Sequence, residues 1–304
     1  MQASQSNSLI YRVLCYVVRP IRLGKQLRQY PARALRLPQQ VRPDLIRSTD
    51  APSISIVTPS YQQGQFLGRT IESVLAQKYP RLEYVIQDGN STDDTKQVLE
   101  QFRARLTRVN SERDDGQADA INRGFRHTSG EIMAWLKSDD ILLPGTLAVV
   151  GNYFHEHPDV DVVYGHRILI DEHDREIGRW VMPEHDSELL SWADFIPPET
   201  LFWRRSIWEK AGGFVDESYR FALDWELLLR LRRAGARFVR IPRFLGAFRV
   251  HDEQKTSAQL HSRGSEEMAR LRTQVHGRAV TKLEVQLHIF SFLLRAARME
   301  RFAV

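Results

Sequence analysis

Asp139 and Asp140 stand side by side where the apolar run Ile132–Leu136 stops at Lys137 and Ser138. Adjacent carboxylates repel, so the pairing needs a reason. A helix cap uses one such acceptor, which leaves one acid over. A hard divalent cation such as Mn²⁺ or Mg²⁺ takes one or two carboxylates and completes its shell from water and substrate phosphates. Asp88 ends a second apolar stretch and is followed by the flexible pair Gly89-Asn90. In "RFALDWELLLR", helical spacing puts Asp224 on one face with Phe221, Trp225 and Leu228. Glu226 shares another face with Arg230 and Arg233, and pairs with Arg230 at i+4 as surface residues do. Asp224 is thus expected to point inward, where a carboxylate needs a structural hydrogen bond or a task such as general-base catalysis. His251, in "FRVHDEQKT", reads as an ordinary surface or hydrogen-bonded histidine. It becomes a candidate metal ligand only if its strand end delivers it beside Asp140.

These residues need elements to bring them together. Ile54–Thr58 is a β-branched strand ended by Pro59, and Leu82–Gln87 is a second strand stopped by Asp88. Thr107–Ser111 is a weaker third, and Glu131–Leu136 a fourth. Between them Phe66, Leu67, Ile71, Val74 and Leu75 recur at helical spacing, as do Val98, Leu99 and Phe102, and Ala118–Phe125 reads as a helix. Strands alternating with helices predict right-handed crossovers and a mainly parallel central sheet in an α/β domain. Ligands of such sheets sit at the carboxyl ends of the strands. Thr58, Pro59, Tyr61, Asp88, Asp139 and Asp140 should therefore gather on one edge. Beyond Gly145 the pattern is mixed: short strands at 160–165, 168–171 and 177–181, a helix over Phe221–Leu231, and strands at 238–241 and 245–250.

The chain has 304 residues, 42% of them hydrophobic, and a single cysteine, so no internal disulfide is possible and a reducing compartment is expected. No uncharged apolar run reaches the ~18 residues of an ordinary spanning helix. Residues 1–43 hold eight Lys/Arg and no Asp/Glu, so this arm carries +8 and leaves −3 on the rest of a chain whose net charge is +5. A mildly acidic body is not that of a nucleic-acid binder. The arm interleaves Leu, Ile, Val and Tyr with its basic residues, which suits an interfacial segment on an anionic membrane. A solvated tail, a segment packed on the domain and an organelle targeting leader fit the same composition. Three regions are expected: an arm over 1–50, a domain over 51–256, and a helical tail over 257–304. In the tail, Leu283, Leu287, Phe290 and Leu294 form a helical stripe that suits packed core or a partner contact.

The motifs occur in a recognisable order. "SIVTPSYQQGQFLGRTIESVLAQKYPRLEYVIQDGNSTDDT", "SERDDGQADAINRGFRHTSGEIMAWLKSDDILLPG", "FWRRSIWEKAGGFVDESYRFALDWELLLRL" and "FRVH" together resemble a family 2 glycosyltransferase over about Ser53–Thr256. The resemblance implies the GT-A fold, a nucleotide-sugar donor, a glycan or lipid-linked acceptor, and inverting transfer in cell-surface polysaccharide synthesis. It implies that Asp88 recognises the nucleotide base over a loop containing Thr58, Pro59 and Tyr61. It places Asp139 near the sugar and ribose, Asp140 on Mn²⁺ or Mg²⁺, His251 near the diphosphate and metal, and Asp224 as catalytic base. With the basic arm, it implies a cytoplasmic location, peripheral at the membrane face. This chain departs from the family pattern at Ser138, which opens the metal motif where many relatives have an acid. It departs also at Leu223, before Asp224, and at "PPET", where relatives tend to show Gln-Pro. A nucleotidyltransferase would show a Gly-rich basic loop after the first strand, and "TPSYQQGQF" has one glycine and no Lys or Arg. A non-catalytic sugar-binding or membrane scaffold protein would have lost the acids that are present here.

Overall fold

A computed structural model describes residues 29–37, 51–251 and 263–300. Strand β1 (Ile54–Ser60) is followed by helix α1 (Gly64–Leu75), β2 (Leu82–Asp88) by α2 (Thr95–Phe102), and β3 (Arg108–Ser111) by α3 (Gln117–Phe125), before β4 (Ile132–Trp135). β1 pairs in parallel with β2 and β4, and β2 with β3. All seven β1 residues are buried, as expected for a parallel strand covered on both faces. Its side chains alternate between layers: Ile54 and Ile56 pack with Leu67, Ile71 and Val74 of α1, while Val57 packs with Ile121 and Phe125 of α3. Each such fully buried side chain contributes about 1.5–3 kcal/mol.

The second half contains β5 (Ile141–Leu142), α4 (Thr146–Glu156), β6 (Val162–Ile170), β7 (Glu176–Trp180), α5 (Ser187–Leu190), β8 (Phe202–Arg204), α6 (Arg205–Lys210), α7 (Leu223–Arg233) and β9 (Phe238–Arg249). One sheet runs β3-β2-β1-β4-β8-β6-β9-β5, with β7 joined to β6. β8 is antiparallel to both β4 and β6, and β9 is parallel to β6. The direction therefore reverses twice, and β6 and β9 run the same way as β4. The carboxyl ends of β1, β2, β4 and β9 share one edge of the sheet.

Two expected strand divisions change here. The strands expected at 160–165 and 168–171 are one strand, β6, whose register against β9 shifts beside Gly165. A Cβ at Gly165 would lie 2.6 Å from the Arg243 carbonyl oxygen, so only glycine lets β9 come this close. The strands expected at 238–241 and 245–250 are likewise one, β9. Helix α4 has no counterpart in the sequence reading, because residues all round it are buried and no polar face marks its period. Of the basic arm, residues 29–37 pack on the domain. Arg33 bridges to Glu176, Tyr30 and Arg179 also bond the Glu176 carboxylate, and Leu35 and Leu37 pack against Leu143 and Ile168. The rest of the arm expectation falls outside the described residues.

The tail supplies α8 (Ser265–His276) and α9 (Lys282–Glu300). Leu271 of α8 and Phe292 of α9 are buried in the same cluster as Trp203 and Trp225. The predicted stripe is not core: Leu283 and Leu287 are 59% and 60% exposed. No helix among the described residues is long and apolar enough to cross a membrane.

Candidate active site

The turn after β4 carries Lys137, Ser138, Asp139 and Asp140, and several contacts fix it. The Thr70 hydroxyl of α1 lies 2.8 Å from the carbonyl oxygens of both Ser138 and Asp140, and Ser138 Oγ donates to Gln63 Oε1 at 2.5 Å. From the end of β9, the Arg249 amide donates to Asp140 Oδ1 at 3.0 Å. The Arg249 guanidinium donates to the carbonyl oxygens of Asp139 and Asp171, at 2.7 and 3.0 Å. This side chain is fully buried, and its guanidinium lies over the Phe66 ring. Arg249 and Thr70 are positioning residues that the motif reading passed over. Each had a signal: an arginine inside an apolar strand, and a threonine on the apolar stripe of α1.

Asp140 is 1% exposed. Its Oδ2 is buried and has no hydrogen-bond partner. Burial, with Asp139 and Glu199 nearby, raises its pKa well above the usual carboxylate range, and Lys137 and the Arg249 amide offset only part of this. An acid so placed is costly unless something positive approaches it. His251 follows β9 and arrives where the strand direction requires. Its Nε2 lies 3.1 Å from Asp139 Oδ2, and its ring packs on Phe66 with centroids 4.7 Å apart. Burial opposes charge on Asp139, but the His251 bond and Lys137 hold its pKa below the ordinary value.

Lys137 is the cationic centre of this group. Burial opposes its charge, but Asp224, Asp140, Asp139 and Glu199 together raise its pKa above the usual amine value. Asp194 faces the same cluster. It is exposed in area, yet enclosing protein and the Asp224 charge push its pKa well above the usual range. Glu199, from the segment "PPET", is buried and held by two hydrogen bonds from Arg167, whose guanidinium contacts the Trp180 and Phe248 rings. Lys137, Asp194 and Glu199 were not singled out in the sequence. Lys137 alone had a local cue, a charge at the end of a buried strand.

Asp88 is fully buried and accepts from Ser91 Oγ and Ser111 Oγ at 2.5 Å each. Thr58 turns its hydroxyl into the core, 3.0 Å from the Tyr84 hydroxyl. Pro59 lies buried beside it, and Tyr61 is 63% exposed, its ring 3.1 Å from where a Gly89 Cβ would stand. The strand ends thus bring Thr58–Tyr61 and Asp88 together on one side of β1, and Asp139, Asp140 and His251 on the other.

The face argument for α7 is overturned. Asp224 is only partly buried, while Glu226 is 8% exposed. Glu226 accepts from Arg230 Nε at 2.7 Å, and Arg230 also donates to the Ala211 and Phe214 carbonyl oxygens. The pair is a buried brace, not a surface contact. Trp225, between the two acids, is fully buried and donates its indole N–H to the Leu190 carbonyl oxygen at 2.8 Å. Asp224 accepts from the Trp225 amide at 3.0 Å, and its charge raises the pKa values of both Lys137 and Asp194.

No group of three or more His, Cys, Asp or Glu side chains among the described residues is arranged to hold a metal ion. His251 Nε2 is engaged by Asp139. The unpartnered Asp140 oxygen does fit a cation that takes one or two carboxylates and completes its shell from water and phosphate.

The model of "Glycosyl transferase family 2" matches residues 55–212. An uncharacterised glycosyltransferase of Mycobacterium tuberculosis is 31% identical over 188 residues, covering 60% of this chain and 70% of that protein. A PGL/p-HBAD biosynthesis glycosyltransferase of Mycobacterium bovis is 30% identical over 184 residues, covering 59% and 70%. Among solved structures, S. aureus TarS 1-349 in complex with UDP-GlcNAc superposes with a TM-score of 0.62 at 19% identity, covering 79% of this chain and 71% of that one. The mannosyltransferase PcManGT from Pyrobaculum calidifontis, in complex with GDP-Man and Mn²⁺, gives 0.61 at 18% identity, covering 98% and 84%. These structural likenesses establish the fold, an α/β GT-A-type sheet flanked by helices.

Proposed function

From the premise that this chain belongs to glycosyltransferase family 2, we propose that it transfers a sugar from a nucleoside-diphosphate donor to a glycan or lipid-linked acceptor with inversion at the anomeric carbon. The observation that carries the reading is Asp140, a buried carboxylate with one oxygen accepting the Arg249 amide and the other unpartnered. Two structural neighbours have been solved with nucleotide sugars, and one of them with Mn²⁺. Asp140, with Asp139 beside it, would hold Mn²⁺ or Mg²⁺. Such a cation, when bound, supplies Lewis-acid neutralisation of the diphosphate.

The chain's own residues then divide the work. Asp88 has about four lone-pair sites, of which Ser91 and Ser111 use part, so it can still accept an N–H from the nucleotide base. Thr58 and Pro59 form the floor beneath that base, and Tyr61 offers an exposed ring beside Gly89. Asp139, steadied by His251, accepts from donor hydroxyls. Lys137 keeps a positive charge between the metal motif and Asp224. Asp224 takes the proton of the acceptor hydroxyl as that oxygen bonds to the anomeric carbon. The anomeric carbon–phosphate oxygen bond breaks on the opposite face, and the nucleoside diphosphate leaves with the electron pair. We place the protein at the cytoplasmic face of a membrane, on the charge of its basic arm.

A panel of nucleotide sugars, measured by thermal shift with and without Mn²⁺, tests this reading. One donor should stabilise the protein only with metal present, by about 2.7 kcal/mol at 100 times its Kd. Stabilisation that ignores metal, or that is absent for every nucleotide sugar, would refute it.

A further inference from the structure

Helix α9 has two sides of opposite character. Ile289 packs against the core, and Phe292 is buried with its ring 4.7 Å from that of Phe195. Leu283, Leu287, Phe290 and Leu294 stand at spacings that keep them within roughly 60° of arc, opposite Phe292. Leu283 and Leu287 are 59% and 60% exposed, and Phe290 and Leu294 are partly exposed. Exposed leucines are ordinary when single, but an aligned row of apolar side chains on one helix marks an interaction face.

The charge distribution selects the partner. Residues 277–304 hold five Lys/Arg against two Glu, and residues 1–43 hold eight Lys/Arg and no acid. The two ends therefore carry +3 and +8, which leaves −6 for residues 44–276 of a chain of net charge +5. Along α9 itself, Lys282 flanks the stripe at one end and Arg295 at the other, Arg295 being tied to Asp186 at 2.8 Å. An apolar stripe with basic flanks on a helix that does not span is the pattern of a helix lying in an anionic interface.

We propose that the exposed face of α9 docks on an anionic phospholipid bilayer. The helix is held rigidly enough for this to orient the enzyme. His288 stacks on Trp192 at 3.6 Å, Arg295 bonds Asp186, and Phe292 packs on Phe195. Two of these partners, Trp192 and Phe195, flank Asp194 in the chain, and the Asp224 charge acts on Asp194. Docking would therefore hold the segment around Asp194 near the lipid surface, where a lipid-linked acceptor is presented. This last point rests on the transferase reading; the docking itself does not.

The test is flotation of the full chain with vesicles of phosphatidylcholine containing phosphatidylglycerol, against phosphatidylcholine alone. The Leu283→Gln/Leu287→Gln double variant removes apolar surface without changing charge. Wild type should float with the anionic vesicles, and the variant's partition coefficient should fall roughly 30-fold, as two half-buried leucines would give. Nucleotide-sugar binding, measured by thermal shift on the same variant, should be unchanged, so failure of the docking proposal and failure of the transferase reading are separable. Equal flotation of variant and wild type would assign the binding to another segment and overturn the proposal. So would no flotation of either, or a concentration-dependent dimer that the same substitutions dissolve.

Discussion

Asp140→Asn should act in opposite directions on stability and on donor binding. The variant keeps an Oδ1 acceptor for the Arg249 amide, the bond that measures 3.0 Å. It removes a negative charge from a buried oxygen that has no partner and that lies near Asp139 and Glu199. An unsatisfied buried polar group costs about 1–3 kcal/mol, more when charged. The side-chain NH₂ that replaces Oδ2 is itself unpartnered, and Lys137 loses one favourable neighbour, so part of the gain is returned. A net stabilisation of about 1–2 kcal/mol results, which in a domain of roughly 200 residues raises the melting temperature by about 3–6 °C. The same change removes the carboxylate best placed for a cation, and Mn²⁺-dependent stabilisation by the donor should vanish. The assay is thermal unfolding of both proteins with EDTA, then with Mn²⁺ and donor. A metal-free variant less stable than wild type would show that Asp140 is satisfied in the fold and that the unpartnered-oxygen argument is wrong. Retained Mn²⁺-dependent donor binding would move the cation elsewhere.

Asp224→Asn should lower turnover by about 10²-fold to 10⁴-fold, the worth of a general base, with donor affinity and melting temperature near wild type because the side chain is only partly buried; unchanged turnover would remove it from the mechanism. Glu226→Gln weakens the buried bond to Arg230 and should cost about 1.5–3 kcal/mol in urea unfolding, with activity lost only in proportion to the unfolded fraction. A specific loss of turnover in the fully folded variant would return the catalytic assignment to Glu226. His166 is buried, which pushes its pKa down to about 4, with Arg240 adding to the effect. The unfolded ring takes its proton near pH 6.5, so stability is full above that and falls as the pH drops toward 4, by about 2 kcal/mol at about pH 5. His166→Gln offers the Met182 amide an acceptor in place of Nδ1, and its pH profile should be flatter across this window; identical profiles would clear His166 of the effect.

Local residue patterns sufficed for the parts that repeat at short range. Alternating strands and helices up to Trp135 were legible because each element has its own period and its own stop, such as Pro59, Asp88-Gly89 and Lys137. From parallel pairing alone it followed that Asp88, Asp139, Asp140 and the residues after Ile54–Thr58 share an edge. The basic ends and the ordered motifs were likewise in the residues. Features that depend on neighbours far along the chain emerged only on folding. His251 meets Asp139 because β8 reverses the sheet twice, which no local pattern encodes. Glu226 is a buried brace because α7 is covered on nearly every side, with Leu223, Trp225, Leu227, Leu228, Leu229 and Leu231 all buried. A helix buried all round has no polar face from which to read direction. Whether a charged side chain costs or stabilises was also settled there, since Lys137 gains its meaning only from carboxylates that arrive from Asp224, Glu199 and the turn it begins.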